Sequence, residues 1–235
     1  LIMDHNTTEK AIQSGFIHHV AFTGSVKGGR SVQRLASSQF IDVGLELGGK
    51  DPAYIREDAN LNSAVSGVMD GVFYNVGQSC CAVERIYVHH FLFDEFVDGA
   101  IEFMNNLKIG NPMDDSIDMG PMAQESGIKT VENQLKDAAD KGAKILTHPG
   151  PMPDGKNYIL PAILTNVNHN MEVMMEETFG PIVGIMAVKS DEEAVRLMND
   201  SPYGLTASVW TNDAEKAIQI GSRIETGTFF MNRCD

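Results

Sequence analysis

The stretch NLNSAVSGVMDGVFYNVGQSCCAVERIYVH (residues 60–89) holds two periodicities and a break between them. Val65, Val68, Met69, Val72, Phe73 and Val76 recur at helical spacing, which predicts one apolar face of a helix from Asn60 to Val76. RIYVH (85–89) returns to a period of two and predicts a strand. At the junction, Cys80 and Cys81 stand side by side just after Gly77 and Gln78.

The same alternation extends in both directions. Upstream, HHVAFTGS (18–25) predicts a buried strand ending in a Gly-Ser turn, followed by a helix through Val32 and Leu35. DVGLELGG (42–49) and PAYI (52–55) are strand-like. Downstream, Phe93, Phe96, Val97, Ala100, Ile101, Met104 and Leu107 mark one helix, and Ile128, Val131, Leu135 and Ala138 mark another that Gly142 stops. AKIL (143–146), a Pro/Gly-rich loop and the strand-like YILPAIL (158–164) come next. Ser190 with Glu193, and Asn212 with Glu215, predict capping boxes opening two further helices. TASVW (206–210) and TGTFFMN (226–232) complete the strands. Strands alternating with helices predict an α/β fold with a largely parallel sheet flanked by helices.

Bulk composition narrows the function. A chain of 235 residues suits one large domain, or one domain plus a piece of another. The net charge of -14, with no run of Lys or Arg, argues against nucleic acid or an anionic membrane surface as a partner. The longest apolar runs, such as PIVGIMAV (181–188), are strand-sized, and LIMDHNTTEK lacks the features of a signal peptide. Three cysteines, two of them adjacent, make no disulfide framework, so reduced thiols and a cytoplasmic location are expected. Leu1 is not an initiator residue and a strand is predicted by residue 18, so a fragment of a longer protein is expected.

Each local motif has a functional and a plain structural reading. A reactive cysteine needs a lowered pKa, and a loop after a helix, with Gly77 freeing the backbone, is a place to expose a sulfur near backbone N–H groups. Two buried, inert thiols are the alternative. In LELGGK (45–50), Glu46 ends a strand at a tight Gly-Gly turn, or is simply a surface charge with Lys50 its exposed neighbour. Gly24 and Gly29 sit between a strand and a helix, where N-terminal amides suit a pyrophosphate, but the full GxGxxG is absent. EETFGP (176–181) taken alone is a loop. No CxxC or suitably spaced Cys/His set points to a metal.

In combination, FTGS, ELGGK, GQSC and EETFGP, in this order and at these separations, closely resemble the aldehyde dehydrogenase superfamily. GNPMD…MGPMA (110–123), NDSPYGLTASVWT (199–211) and GTFFMN (227–232) extend the resemblance through nearly the whole chain. It implies that Cys80, in Gly77-Gln78-Ser79-Cys80, is the nucleophile, with Cys81 a packing residue and Cys234 outside the chemistry. The implied reaction is oxidation of a small-molecule aldehyde. The Cys80 thiolate captures the carbonyl as a thiohemiacetal, hydride passes to NAD or NADP, and Glu46 activates the water that hydrolyses the resulting thioester. The backbone N–H of Cys80 is one implied oxyanion donor.

By the same resemblance Gly24, Ser25 and Gly29 face the pyrophosphate, the Leu47 backbone lies near the nicotinamide, and Glu177 and Phe179 hold the ribose side. Residues 1–45 correspond to the end of the dinucleotide-binding domain, 46–232 to the catalytic domain and 233–235 to the start of a C-terminal segment. The intact protein is expected to be a homo-oligomer, and the chain alone inactive. An acyl transfer to coenzyme A, or a non-catalytic relative, is the alternative. Glu46 favours hydrolysis over coenzyme A transfer, and intact Cys80 and Glu46 argue against lost catalysis. Phe73, Tyr74 and Ser79 are candidates for contacting substrate, with core packing the other reading of Phe73.

Overall fold

The computed structural model of the chain describes residues 2–234, so Leu1 and Asp235, the latter in the expected C-terminal segment, lie outside the described residues. The chain divides into two compact units, Leu1–Gly48 and Gly49–Asp235.

In the first unit, α1 (His5–Ile12), β1 (His19–Thr23), α2 (Val26–Ser37) and β2 (Asp42–Glu46) follow one another. β1 and β2 pair in parallel from His19↔Asp42 to Thr23↔Glu46. The Ser25 hydroxyl caps α2 by accepting from the Gly28 N–H at 3.1 Å, satisfying one of the orphan donors of the first turn. Ile12, Val32 and Ala36 form a small core against which Val20, Phe22 and Val43 pack. The strand predicted as buried is corrected here: β1 alternates exposed and half-exposed residues. In a two-stranded sheet every second side chain meets the helices and the rest face outward.

The second unit is built on seven strands. β3 (Asp51–Ile55) leads into α3 (Leu61–Phe73), β4 (Val83–His89), α4 (Phe93–Asn105) and α5 (Glu125–Asp140). β5 (Lys144–Thr147), β6 (Ala162–Thr165), the short α6 (Glu172–Met175) and β7 (Ile182–Val188) come next. α7 (Asp191–Asn199), β8 (Thr206–Trp210), α8 (Ala214–Gly221) and β9 (Thr228–Met231) finish the chain. The sheet order is β5-β6-β7-β4-β3-β8-β9. Every neighbouring pair is parallel except β5 with β6. The α/β class with a largely parallel sheet flanked by helices is as the alternation predicts.

Three local expectations need correction. β4 is buried at every position, so its burial does not alternate as the period of two suggests. As an interior strand of a parallel sheet it is covered on both faces. The helix predicted to reach Val76 stops at Phe73, because the next residues leave helical geometry. The cap of α8 is Asp213, which accepts from the Lys216 N–H, rather than Asn212. Asn212 is committed elsewhere: its side chain donates to the Asp58 carbonyl at 2.6 Å and its N–H to the Asp58 carboxylate at 3.1 Å. At α7 the Ser190 hydroxyl accepts from the Glu193 N–H as expected, while the Glu193 carboxylate accepts from the Lys189 N–H at 2.8 Å instead of completing the box at Ser190.

Candidate active site

The loop that carries Cys80 is set by an abrupt end to α3. Asn75 (φ 50°), Val76 (φ 64°) and Gly77 (φ 70°) are consecutive left-handed residues. Only Gly77 adopts this freely. For Asn75 it is tolerable, and for the β-branched Val76 it costs on the order of 1–3 kcal/mol. Such a conformation persists only where surrounding contacts insist on it. Val76 is buried in the core. The Asn75 amide donates to the Gln78 carbonyl at 2.9 Å, and the Gln78 amide returns a bond to the Asn75 carbonyl at 3.2 Å. Gln78 Oε1 also accepts from the Ala123 N–H at 2.9 Å, tying the turn to the segment ahead of α5.

Two glycines bring other motifs against this loop. A Cβ on Gly77 would lie 2.3 Å from the Gly180 carbonyl oxygen, so the loop presses on the EETFGP segment. A Cβ on Gly49 would lie 2.7 Å from the Cys80 carbonyl oxygen, so the end of LGGK abuts the cysteine itself. GQSC, Gly49-Lys50 and EETFGP therefore meet within the second unit.

Cys80 emerges exposed, Cys81 is half-buried and Cys234 is buried. Burial first, and then the charge of the adjacent Cys81, push the Cys80 thiol up. The Cys80 backbone N–H opposes that shift without reversing it. Cys81 Sγ lies 3.3 Å from Ser79 Oγ. Cys81, Ser79, Asp70, Tyr74 and Cys234 line a cavity of about 210 Å³ beside the cysteine loop. Phe73 points away from it, buried in the core and stacked on Phe103 at 6.5 Å.

Behind the site lies a buried ion pair that the sequence reading missed. Lys50, read as an exposed neighbour of Glu46, is 1% exposed and donates to Glu84 at 2.7 Å. Burial pushes the Lys50 ammonium down and Glu84 opposes that shift. Removing either partner from a pair so deep leaves a lone charge, at a cost of about 3–5 kcal/mol. Thr178 and Gln134 join the network. Asp51, 3% exposed, accepts from the Thr206 hydroxyl at 2.7 Å, and burial pushes its carboxyl up to about 7. One signal was legible: Glu84 and Arg85 form a charged pair inside an otherwise apolar strand.

The expected cofactor residues fall into two groups. In the first unit, Gly24 and Ser25 lead into the exposed N-terminus of α2, whose free N–H groups and positive dipole end fit a diphosphate. The glycines also have packing reasons. A Cβ on Gly24 would meet the Phe22 ring at 2.8 Å, and one on Gly29 would meet Leu47 Cδ2 at 2.6 Å. Glu46 ends β2 exposed, its carbonyl accepting from the Gly24 N–H at 3.0 Å. In the second unit, Glu177 is half-buried, and burial, then the Glu84 charge, push its carboxyl up to about 7. Phe179 is left-handed (φ 50°) with its ring exposed. A half-buried carboxylate two residues from an exposed aromatic ring is a residue set that could receive a sugar hydroxyl and a flat ring. Among the described residues, no cluster of His, Cys, Asp or Glu is arranged to hold a metal ion, and no helix is long and apolar enough to cross a membrane.

Residues 2–235 match the aldehyde dehydrogenase family, and the chain belongs to that family. It is 36% identical over 217 residues to human retinaldehyde dehydrogenase 3, an alignment covering 92% of this chain and 42% of that protein. NADP-dependent glyceraldehyde-3-phosphate dehydrogenase from Bacillus halodurans, solved with NADP, superposes with a TM-score of 0.92 at 33% identity, covering 100% of this chain and 48% of that one. Betaine aldehyde dehydrogenase from Staphylococcus aureus, solved with NAD+, gives a TM-score of 0.92 at 30% identity, covering 99% and 47%. The chain therefore spans about half the length of the relatives it matches.

Proposed function

We propose that this chain is the catalytic part of an NAD(P)+-dependent aldehyde dehydrogenase that converts an aldehyde to a carboxylic acid. The observation that carries the reading is Cys80. It is exposed, on a loop fixed by three successive left-handed residues, in a chain of this family. In this reading residues 46–232 are the catalytic domain and residues 1–45 the end of a dinucleotide-binding domain.

Cys80 Sγ attacks the aldehyde carbon, and the backbone N–H of Cys80 meets the negative oxygen that develops. The nicotinamide, when bound, supplies the hydride acceptor for the oxidation. Glu46 takes a proton from water, and the hydroxide releases the acyl group from Cys80 as the acid. Glu177 accepts from a ribose hydroxyl, Phe179 and the Leu47 backbone flank the nicotinamide end, and Gly24, Ser25 and Gly29 shape the diphosphate site. Relatives solved with NADP and with NAD+ support either dinucleotide. A cytoplasmic homo-oligomer is the proposed setting of the intact protein.

The test is an aldehyde panel on the full-length protein that carries this chain, run with both dinucleotides and with or without coenzyme A. Acid released without coenzyme A is expected, and turnover that requires coenzyme A would overturn the role of Glu46. Absence of oxidation with every aldehyde would support the non-catalytic alternative. The isolated chain should give no comparable rate, since it spans about half of its relatives.

A further inference from the structure

The loop proposed to hold the cofactor ribose has no regular secondary structure between Glu176 and Pro181, yet its geometry is specific. Its order comes from one buried carboxylate. Glu84, 3% exposed on β4, accepts from the Thr178 N–H at 2.7 Å through Oε2 and from the Phe179 N–H at 2.9 Å through Oε1. Oε2 also accepts from Lys50 Nζ at 2.7 Å. Lys50 in turn donates to the Thr178 hydroxyl at 2.9 Å, and that hydroxyl donates to Gln134 Oε1 at 2.7 Å. Gln134 Nε2 closes the circuit on the Glu176 and Glu177 carbonyls at 3.4 and 3.3 Å.

Both carboxylate oxygens are thus spent on two successive backbone amides, as an anion is held in a nest, with the roles reversed: here the anion is the fixed element and the loop wraps around it. Phe179 itself is left-handed (φ 50°), so the chain turns immediately after the two bonded amides. A lysine deep in the fold has no solvent to satisfy it, so the Glu84 carboxylate is what satisfies the Lys50 ammonium.

We propose that Glu84, supported by Lys50, is a positioning residue that fixes the Glu177–Phe179 turn in the geometry that receives the dinucleotide. Glu84 touches no ligand in this account. It sets where the Glu177 carboxylate and the Phe179 ring stand, and its negative charge contributes to the raised Glu177 carboxyl. The proposal rests on Glu177 and Phe179 being the cofactor contacts.

Amide hydrogen exchange and NAD(P)H fluorescence titration on the full-length protein test it together. In the wild type, the Thr178 and Phe179 amides should exchange more slowly than other irregular segments of comparable exposure. In E84A and E84Q, exchange over residues 176–180 and the dinucleotide Kd should each rise about 10-fold or more, the scale of losing a charged hydrogen bond. The rate at which iodoacetamide labels Cys80 should stay within about twofold, since a general loss of folding would move it too. Wild-type exchange and Kd in a folded Glu84 variant would overturn the proposal, as would unprotected 178 and 179 amides in the wild type. If both Glu84 variants fail to fold, wild-type exchange alone decides. If the wild type binds no NAD(P)H, or E177Q leaves Kd unchanged, the assignment of the ribose contact is what fails. If E177Q weakens binding and neither Glu84 variant does, the positioning role fails alone.

Discussion

Cys80 and Cys81 carry the same functional group one residue apart, and their surroundings make them different reagents. Cys80 is exposed, whereas Cys81 is half-buried with its sulfur beside Ser79 Oγ. A limiting amount of iodoacetamide should therefore modify Cys80 before Cys81 or Cys234, as read by peptide mass spectrometry. Its pH dependence follows from the environment. Burial and the neighbouring thiol both disfavour the Cys80 thiolate, so its pKa lies above the ordinary value of 9.0. Because the thiolate is the nucleophile, labelling of this chain should keep accelerating with pH through and beyond that value. A rate that levels off near pH 7 would show an activating cation or dipole at Cys80, contradicting this account of its surroundings.

Among the elements, the turn between α3 and β4 is the one whose geometry the proposed function depends on. Gly77→Ala should cost about 2–4 kcal/mol in a urea melt, from a positive φ and a Cβ facing the Gly180 carbonyl at 2.3 Å. Gly142→Ala separates the two contributions. Its φ of +91° is strained for alanine, but nothing lies within 4 Å, so it should cost about 1 kcal/mol. Equal losses at the two sites would mean that the loop yields to the intruding methyl.

Elements of this kind were legible to different degrees. The helices and strands followed from apolar spacing because each buries one face or both within the core of its own unit. The end of α3 did not, since Val76 continues the apolar pattern while its backbone has already left the helix. Spacing records which side chains go inside and is blind to φ. Lys50 and Glu84 escaped for a related reason: residue type predicts exposure, and only the three-dimensional pairing across 34 positions makes burial affordable. Cys80, by contrast, was singled out by the resemblance of Gly77-Gln78-Ser79-Cys80 to the family's cysteine motif, and the structure leaves it exposed.

At the scale of the whole molecule, the chain is a member of the aldehyde dehydrogenase family spanning about half of its relatives' length. A seven-stranded, mostly parallel sheet supports the cysteine loop, and the two-stranded unit ahead of it carries Glu46. The central claim joins these residues in one reaction: Cys80 carries the acyl group and Glu46 provides for its release. Intact and peptide mass spectrometry of the full-length protein, as an E46Q variant turned over once with aldehyde and dinucleotide, tests that claim most directly. The account predicts an acyl adduct on the peptide containing Cys80, persisting in E46Q and short-lived in the wild type. An adduct on another residue, or none while acid is still formed, would contradict it.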